Sequence, residues 1–510
     1  MARLFEFQGK KLLAAHKIAI PRGEVCATPD EVYAAAGRLG GEVVIKAQVW
    51  STKRAAWGGI QFARTPDDAR RIAAGLFGKA VGHFTVEKLL VEEKLALARE
   101  FYAGIIVDDA RQAPVIIFSS RGGTGIEEIA KEHPNSVAQA VIDLSTGLLP
   151  FQARDLVRRA GLDREWLGAV SDVLVRLYKT ARTYEARSAE INPLVVTKAG
   201  KVVAADCRVT IDDYAVFRHP ELDIEIAREL DRPPTPLDRI AYHVEKDDYR
   251  GTFYFIQMEQ GFARGERFVG FHGAGGGGSM MSMDALLQHR FKIANFTDTS
   301  GNPPASKVYR AARIILSQPG LDGYFSSGSG VASQEQFHSA RGLVKAFREV
   351  PLKVPAVIRL GGNAEEKAIQ ILTDYTRDLP APVEGYGKDD TPDFCAERLE
   401  KLVEAAPPVR ASAQVEWSRK EAARPYRFAS PTGTIQFDHE LCARCESKIC
   451  IKECVPQILK EDEHGLPVLN ITPEEAKKGK CTECLACEVE CFFGGNKGGY
   501  IELPIAGLDG

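Results

Sequence analysis

The sequence predicts a multidomain protein of α+β and α/β class that ends in a small cysteine-rich module. Three observations carry this expectation. The chain has 510 residues, more than a single hydrophobic core accommodates, so two to four domains are expected. Helix and strand signals are mixed over residues 1–231, then give way over 237–405 to a repeated order of strand, glycine turn and helix. Eight of the 11 cysteines lie between Cys442 and Cys491. The composition, 45% hydrophobic and 26% charged, is that of an ordinary globular chain. With 66 basic and 69 acidic side chains the net charge is -3, which removes the electrostatic case for nucleic-acid binding. No apolar run approaches the roughly 20 residues of a membrane span, and no secretory signal is read near Met1. The expectation is a cytoplasmic protein, and its cysteines argue for metal rather than disulfide chemistry.

Within the first domain, Thr28-Pro29-Asp30 predicts a helix start with an N-cap, a proline in the first turn and an acidic neighbour. Gly40-Gly41 closes that helix, and Thr65-Pro66-Asp67 repeats the start signal. Glu42 to Trp50 reads as a strand, as do Phe101 to Val107 and Pro114 to Ser119. Leu194 to Val196 and Val202 to Ala205 flank the turn Lys198-Ala199-Gly200-Lys201 and read as a hairpin. Linker composition follows at Arg232-Pro233-Pro234-Thr235-Pro236. In the second domain Phe268 to Phe271, Gly323 to Phe325 and Val354 to Leu360 each run into a glycine-bearing turn, the last followed by a helix from Ala364 to Tyr375. This alternation predicts a doubly wound parallel sheet. Residues 406–431 are polar and proline-bearing and read as a linker, leaving 432–510 as the cysteine module.

The cysteines are spaced C-x2-C-x4-C-x3-C from Cys442 and C-x2-C-x2-C-x3-C from Cys481. Close-set thiolates of this kind wrap a soft metal centre, and the module resembles a bacterial-type ferredoxin with two [4Fe–4S] clusters. In that pattern the last cysteine of each run serves the other cluster. The resemblance therefore implies one cluster on Cys442, Cys445, Cys450 and Cys491, and a second on Cys481, Cys484, Cys487 and Cys454. Pro456 stands two residues after Cys454 rather than directly after it. The alternative is a pair of four-cysteine zinc sites, but these usually pair two C-x2-C knuckles and leave the cysteine at x3 without a reason.

In the first domain, Asn192 and Asp206 are equidistant from Ala199, so a regular hairpin sets them opposite each other. Glu190 lies two residues before Asn192 and shares its face. Oxygen donors converging in this way suit Mg²⁺ carrying nucleotide phosphates. Further segments stand in order around them: Phe5-Glu6-Phe7-Gln8-Gly9-Lys10, Val44-Ile45-Lys46-Ala47-Gln48-Val49, Leu90-Val91-Glu92, Glu100-Phe101-Tyr102 and Glu190-Ile191-Asn192-Pro193-Leu194. Together they resemble the ATP-grasp half of succinate–CoA ligase β subunits. The second domain resembles the same family through Gly273-Ala274-Gly275, Ala294-Asn295-Phe296, and Arg359-Leu360 followed by Gly362-Asn363-Ala364-Glu365. The resemblance implies an ATP-grasp domain followed by a flavodoxin-like ligase domain.

It also implies roles. Lys46, Lys53 and Arg54 would face the nucleotide phosphates, Glu92 and Glu100 the adenine and ribose side, and Asn192 and Asp206 Mg²⁺. Glu190 would orient the histidine that accepts the phosphoryl group. His272, Gly273, Gly275, Gly328, Ser329 and Gly330 would form substrate and phosphate loops at helix starts. Three loops depart from the family pattern. The glycine-rich phosphate loop is Ser51-Thr52-Lys53-Arg54-Ala55-Ala56-Trp57-Gly58-Gly59, short of the glycines that let backbone amides approach phosphate closely. Phe325-Ser326-Ser327 replaces Phe-Gly-Gly, and Asp298-Thr299-Ser300-Gly301-Asn302 replaces Asp-Val-Gly-Gly-Gly. His272 stands in place of an asparagine, either as a stand-in phosphoacceptor or as a hydrogen-bonding group.

In the family the phosphorylated histidine and the CoA-binding domain belong to a separate α subunit. The expected function is thus the β-like subunit of an ADP-forming carboxylate–CoA ligase, an acid–thiol ligase carrying an electron-transfer tail. Its cofactors would be Mg²⁺ and two [4Fe–4S] clusters, with ATP as substrate. Its partners would be a CoA-binding α-like subunit, a carboxylate, CoA and a reductase or flavoprotein. The alternative is an electron-transfer protein that uses a degenerate ligase body as a docking scaffold.

Overall fold

The computed structural model describes residues 1–510 apart from 52, 53, 124, 163, 229–231, 249–251, 329, 406–414, 418–420 and 510. The chain forms two compact units, Met1–Pro233 and Pro234–Gly510. Among the described residues no helix is long and apolar enough to cross a membrane.

The first unit holds two large antiparallel sheets and a short ladder of Ala80–Val81 with Phe84–Thr85. The smaller sheet runs in the order Gly23–Cys26, Leu89–Glu93, Val43–Ala47, Ile60–Ala63. Helices Pro29–Arg38 and Pro66–Leu76 share its core through Val32, Ala36 and Ile72. Both helices start as the sequence predicts: the Thr28 and Thr65 hydroxyls accept from the amides of Glu31 and Asp68. Gly40 and Gly41, at φ 96° and 92°, end the first in the left-handed region open to glycine. The larger sheet is built around the long strands Leu97–Asp108 and Ala186–Thr197, with the 20-residue helix Arg164–Thr183 packed against both. The expected hairpin is present: Leu194 pairs with Ala204 and Val196 with Val202. The register continues to Asn192, whose amide donates to the Asp206 carbonyl at 3.1 Å.

The second unit holds a six-stranded sheet in the order Tyr254–Gln257, Lys292–Asp298, Phe268–Ala274, Gly323–Gly328, Ala356–Arg359, Val383–Tyr386. All neighbours are parallel except the first pair. The chain leaves Phe268–Ala274 first to one side and later to the other, so its carboxyl end is the switch point where such sheets open a crevice. The glycine run differs from the expected turn: Gly276, Gly277 and Gly278 already form the first turn of helix Gly276–Gln288, and Gly275 alone, at φ 97°, makes the bend.

The cysteine module carries a three-stranded antiparallel sheet, Pro425–Ala429, Thr434–Asp438 and Gly499–Glu502. The first of these strands lies inside the stretch read as linker, because five residues beginning with proline show too little alternation to stand out, although Phe428 turns into the core. Residues 406–414 and 418–420 of that linker lie outside the described residues. The module and the ligase sheet share one core, whose buried members include Tyr309 and Phe347 from the one and Phe437 and Val489 from the other.

Candidate functional site

In the first unit the structure brings Lys46, Arg54, Glu92 and Asp206 into one charge cluster and adds Glu6 and Lys10. Helix Glu6–Ala15 sets Glu6 and Lys10 four residues apart, hence on one face. Lys46 Nζ, on strand Val43–Ala47, reaches Glu6 at 2.8 Å, Glu92 at 2.9 Å and the Ala205 carbonyl at 2.6 Å. Lys10 Nζ meets the same three groups at 2.8, 2.5 and 2.8 Å. Arg54 Nη2 donates to both Asp206 oxygens at 2.8 and 2.7 Å, while Nη1 lies 2.7 Å from Glu6. Burial alone would raise the Glu6 carboxyl, but Lys46, Lys10 and Arg54 together hold it well below the ordinary carboxylate range. Burial would likewise lower Lys46, yet Glu6, Glu92 and Asp206 keep it above the usual lysine value. Three cations and three carboxylates balance, which is what allows charges this deeply buried.

Glu190 and Asn192 sit beside this cluster on the hairpin strand. Asn192 Nδ2 donates to Glu190 at 3.4 Å, and its Oδ1 accepts from the Gly123 amide at 3.3 Å. Glu100 lies under the same loop, close enough that a Cβ on Gly123 would come within 2.8 Å of its carboxylate. Glu92, expected toward the adenine and ribose side, is 2% exposed and bonded to Lys10 and Lys46, so it is placed to orient lysines. The sequence names Glu6 and Lys10 only within the family segment Phe5 to Lys10 and assigns them no role, because the helix marks them by nothing beyond i,i+4 spacing. In the phosphate loop the Gly59 amide donates to the Arg54 carbonyl, and Trp57 packs over Gly59 where a Cβ would meet its ring at 2.4 Å. Lys53 lies outside the described residues.

In the second unit, Gly273, Gly275, Gly328 and Gly330 gather at the carboxyl ends of neighbouring parallel strands, where Ala274 pairs with Gly328. Asp298 accepts from the amides of Gly275 and Ser300, both at 2.9 Å, and so ties two of the loops together. Arg359, only part of the family motif in the sequence, donates to the carbonyls of Gly328, Lys388 and Asp390. Ser329 lies outside the described residues. His272 is a correction to the expected loop. It is 2% exposed and faces the core, where Nδ1 meets the Tyr324 hydroxyl at 2.5 Å and Nε2 meets Thr299 Oγ1 at 3.3 Å. The Thr299 hydroxyl donates to the Gly273 carbonyl, so it accepts from Nε2, which leaves Nδ1 to accept from Tyr324. Burial pushes this imidazole down to about 3. A sealed ring with both nitrogens occupied fits the hydrogen-bonding role and not that of a phosphoacceptor.

The eight clustered thiols fall into two groups. Burial, then Cys491 and Cys445, push Cys442 up to about 12, and burial, then Cys491, Cys442 and Cys445, do the same to Cys450. Cys487 is raised by burial and then by Cys484, Cys481 and Cys454, with a last contribution from Cys450 of the other group. Cys454, Cys481, Cys484 and Cys487 line one small cavity with Ile458 and Ile501. Backbone amides point at the sulfurs: those of Ser447, Lys448 and Asn496 at Cys445, those of Gln457, Ile458 and Leu459 at Cys454, and those of Lys497, Gly498 and Gly499 at Cys491. A Cβ on Gly498 would stand 2.9 Å from the Cys442 sulfur, so only glycine lets the chain pass there. Among the described residues no three His, Cys, Asp or Glu side chains converge as ligands of a single metal ion.

Residues 3–196 match the ATP-grasp domain family. A GDP-forming succinate–CoA ligase subunit β of Thermus thermophilus is 37% identical over 369 residues, 72% of this chain and 93% of that protein. The ADP-forming subunit β 2 of Archaeoglobus fulgidus is 34% identical over 405 residues, 79% of this chain and 99% of that protein. Among solved structures, ATP citrate lyase from Methanothrix soehngenii, in complex with citrate and coenzyme A, superposes with a TM-score of 0.65 over 78% of this chain and 99% of that one; at 17% identity this shows a shared fold. With over nine-tenths of these ligase subunits matched at a third identity or more, the chain belongs to the β subunits of the succinate–CoA ligase family, a family of acid–thiol ligases.

Proposed function

We propose that the chain is the β-like subunit of an ADP-forming carboxylate–CoA ligase that works with a CoA-binding α-like partner. The γ-phosphoryl group of ATP would pass to a histidine nitrogen of the partner, releasing ADP, and then to a carboxylate oxygen of the substrate. The CoA thiol would attack the resulting acyl phosphate, forming the thioester and expelling phosphate. The observation that carries this reading is the cluster of Lys46, Arg54 and Asp206 beside Asn192 and Glu190. Lys46 and Arg54 would receive the phosphates, with Lys10, Glu6 and Glu92 holding Lys46 in line, and Glu100 would face the ribose. Asn192 and Asp206 would hold Mg²⁺, which when bound neutralises phosphate oxygens. Glu190 would orient the partner's histidine, and the loops at Gly275 and Gly328 would cradle an anion at a helix start. The test is labelled ATP added to the reconstituted two-subunit complex. Acid-labile phosphohistidine on the partner supports the ligase. A complex that neither binds nucleotide nor labels any histidine refutes it.

The tail reading is part of the same proposal: Cys442, Cys445, Cys450 and Cys491 would hold one [4Fe–4S] cluster, and Cys454, Cys481, Cys484 and Cys487 the other. A cubane spreads its thiolates more widely than a single ion does, and amide groups aimed at sulfur are how proteins stabilise and tune such clusters. Bound there, the clusters would supply one-electron transfer to a reductase or flavoprotein. The scaffold reading keeps one observation in its favour, because Arg54 closes on the carboxylate that Mg²⁺ would need.

A further inference from the structure

The helix Phe337–Glu349 turns three cations, Arg341, Lys345 and Arg348, toward the cysteine module at i, i+4 and i+7, and none is more than 2% exposed. Arg341 Nε donates to Glu490 at 2.7 Å and its Nη2 to Glu453 at 2.8 Å. Lys345 Nζ donates to Glu488 at 3.0 Å, with both side chains fully buried. Arg348 lies over the rings of Phe492 and Phe493, and the Tyr375 ring stacks on Phe493 at 3.8 Å. Glu488 and Glu490 stand between Cys487 and Cys491 on the helix Ala486–Gly494, which carries one cysteine from each thiol group. Buried ion pairs of this kind contribute little net stability, but each fixes its partners in one geometry.

The same ligase helix begins at the phosphate-loop end of the domain. The segment leading into it, Val331–Gln336, is tied to Asn302, Pro303 and Asn363: Asn302 Nδ2 donates to Ser333 Oγ at 2.9 Å, Gln334 Nε2 to the Pro303 carbonyl at 2.7 Å and Asn363 N to the Ala332 carbonyl at 3.2 Å. Gln334 N donates to Asn302 Oδ1 at 3.0 Å, Gln336 N to the Asn363 carbonyl at 2.8 Å, and Asn363 Nδ2 to the Ser333 carbonyl at 2.7 Å. Val331 is 81% exposed, whereas Gln334 and Gln336 are buried. From Gln336 to Lys345 is about 14 Å along the helix axis.

We propose that Arg341 and Lys345 are positioning residues that make the cysteine module a working part of the ligase domain: by fixing the helix Phe337–Glu349 against the helix of Cys487 and Cys491, they let the filled cysteine centres order Val331–Gln336, the segment that follows the proposed anion loop at Gly328 and Gly330. The inference rests on the iron–sulfur reading of the tail. It differs from a tethered electron carrier, whose loss would leave the ligase loops untouched. Coupling of this kind is reciprocal, so an anion held by the loops would also stabilise the module.

The test is amide hydrogen exchange on the anaerobically purified full chain, with iron and sulfide assayed on each sample. Removing iron with a chelator should speed exchange across Val331–Gln336 about tenfold, while strands Gly323–Gly328 and Ala356–Arg359 hold their protection. Two variants separate the contact from general damage. Arg341→Met leaves Glu490 bonded to the Tyr375 hydroxyl and Glu453 to Lys367, and Lys345→Met with Glu488→Gln removes that pair and leaves Glu349, which Lys345 also meets at 2.9 Å, to Arg313 at 3.7 Å. Each should keep its iron yet exchange Val331–Gln336 faster than wild type, whereas Lys345→Arg should restore wild-type exchange. Iron-loaded variants that protect the segment like wild type would overturn this inference alone. A wild-type chain that lacks iron and sulfide but still protects the segment would overturn both it and the tail reading.

Discussion

Asp206 and Glu190 occupy neighbouring places on one hairpin face yet should fail differently when changed. Asp206→Asn removes a charged oxygen from the proposed Mg²⁺ site and frees Arg54, so Mg–nucleotide affinity should fall in a calorimetric titration. Glu190→Gln leaves those donors in place; nucleotide affinity should hold while phosphorylation of the partner falls about 100-fold, or about 2.7 kcal/mol. Glu6 offers a stability test. Its carboxylate is 1% exposed and meets Lys10, Lys46 and Arg54, so Glu6→Gln leaves buried positive charge without its counter-ion. A loss of about 3 kcal/mol is expected in urea unfolding followed by tryptophan fluorescence, to which Trp50, Trp57 and Trp166 contribute from this unit. The pairing of Asn192 with Asp206 was legible in the sequence because a hairpin is a local object whose register follows from counting. The roles of Glu6 and Lys10 were not, since Glu6 meets Lys46 and Lys10 meets Glu92, 40 and 82 positions away in other elements.

At the scale of elements, the strand Phe268–Ala274 illustrates how one residue ties a strand to pH. His272 would titrate near 6.5 in the unfolded chain, but its folded value is about 3. Its neutral, bonded form therefore adds stability that is complete above pH 6.5 and is lost as pH falls toward 3, because only the unfolded imidazole takes up the proton. Between pH 7 and pH 5 the cost is about 2 kcal/mol, and His272→Asn should flatten that limb in denaturant melts at the two pH values. In the module, Cys454→Ala should lower iron chiefly at the group that holds Cys481, Cys484 and Cys487, leaving about half the iron and sulfide of the full chain. Equal loss from both groups would break the assignment of Cys454. Helix starts at Thr28 and Thr65 were readable because a cap needs only its own next three residues. The strand Pro425–Ala429 was not, because its pairing with Thr434–Asp438, rather than its own pattern, makes it a strand.

For the whole molecule the consequence is that the cysteine module is built into the second unit. Ending the chain after Ala405 would uncover Arg341, Lys345 and Arg348 together with the apolar ground around Tyr309, Phe347 and Tyr375. The truncated chain should melt at a lower temperature than the full one in a circular-dichroism scan and bind a hydrophobic dye before melting. An unchanged melt would mean that the ligase sheet stands without the tail. Periodicity, caps and hairpin counting act over short stretches of chain, so the sequence by itself determined the ATP-grasp and α/β classes of the ligase body and the hairpin of Asn192 and Asp206. Which charges meet was decided by the tertiary structure alone. Arg54 on Asp206, His272 sealed between Tyr324 and Thr299, and Arg341 on Glu490 join residues 152, 27 to 52 and 149 positions apart. Such pairs form only where folding removes water from both partners, and no local pattern records that.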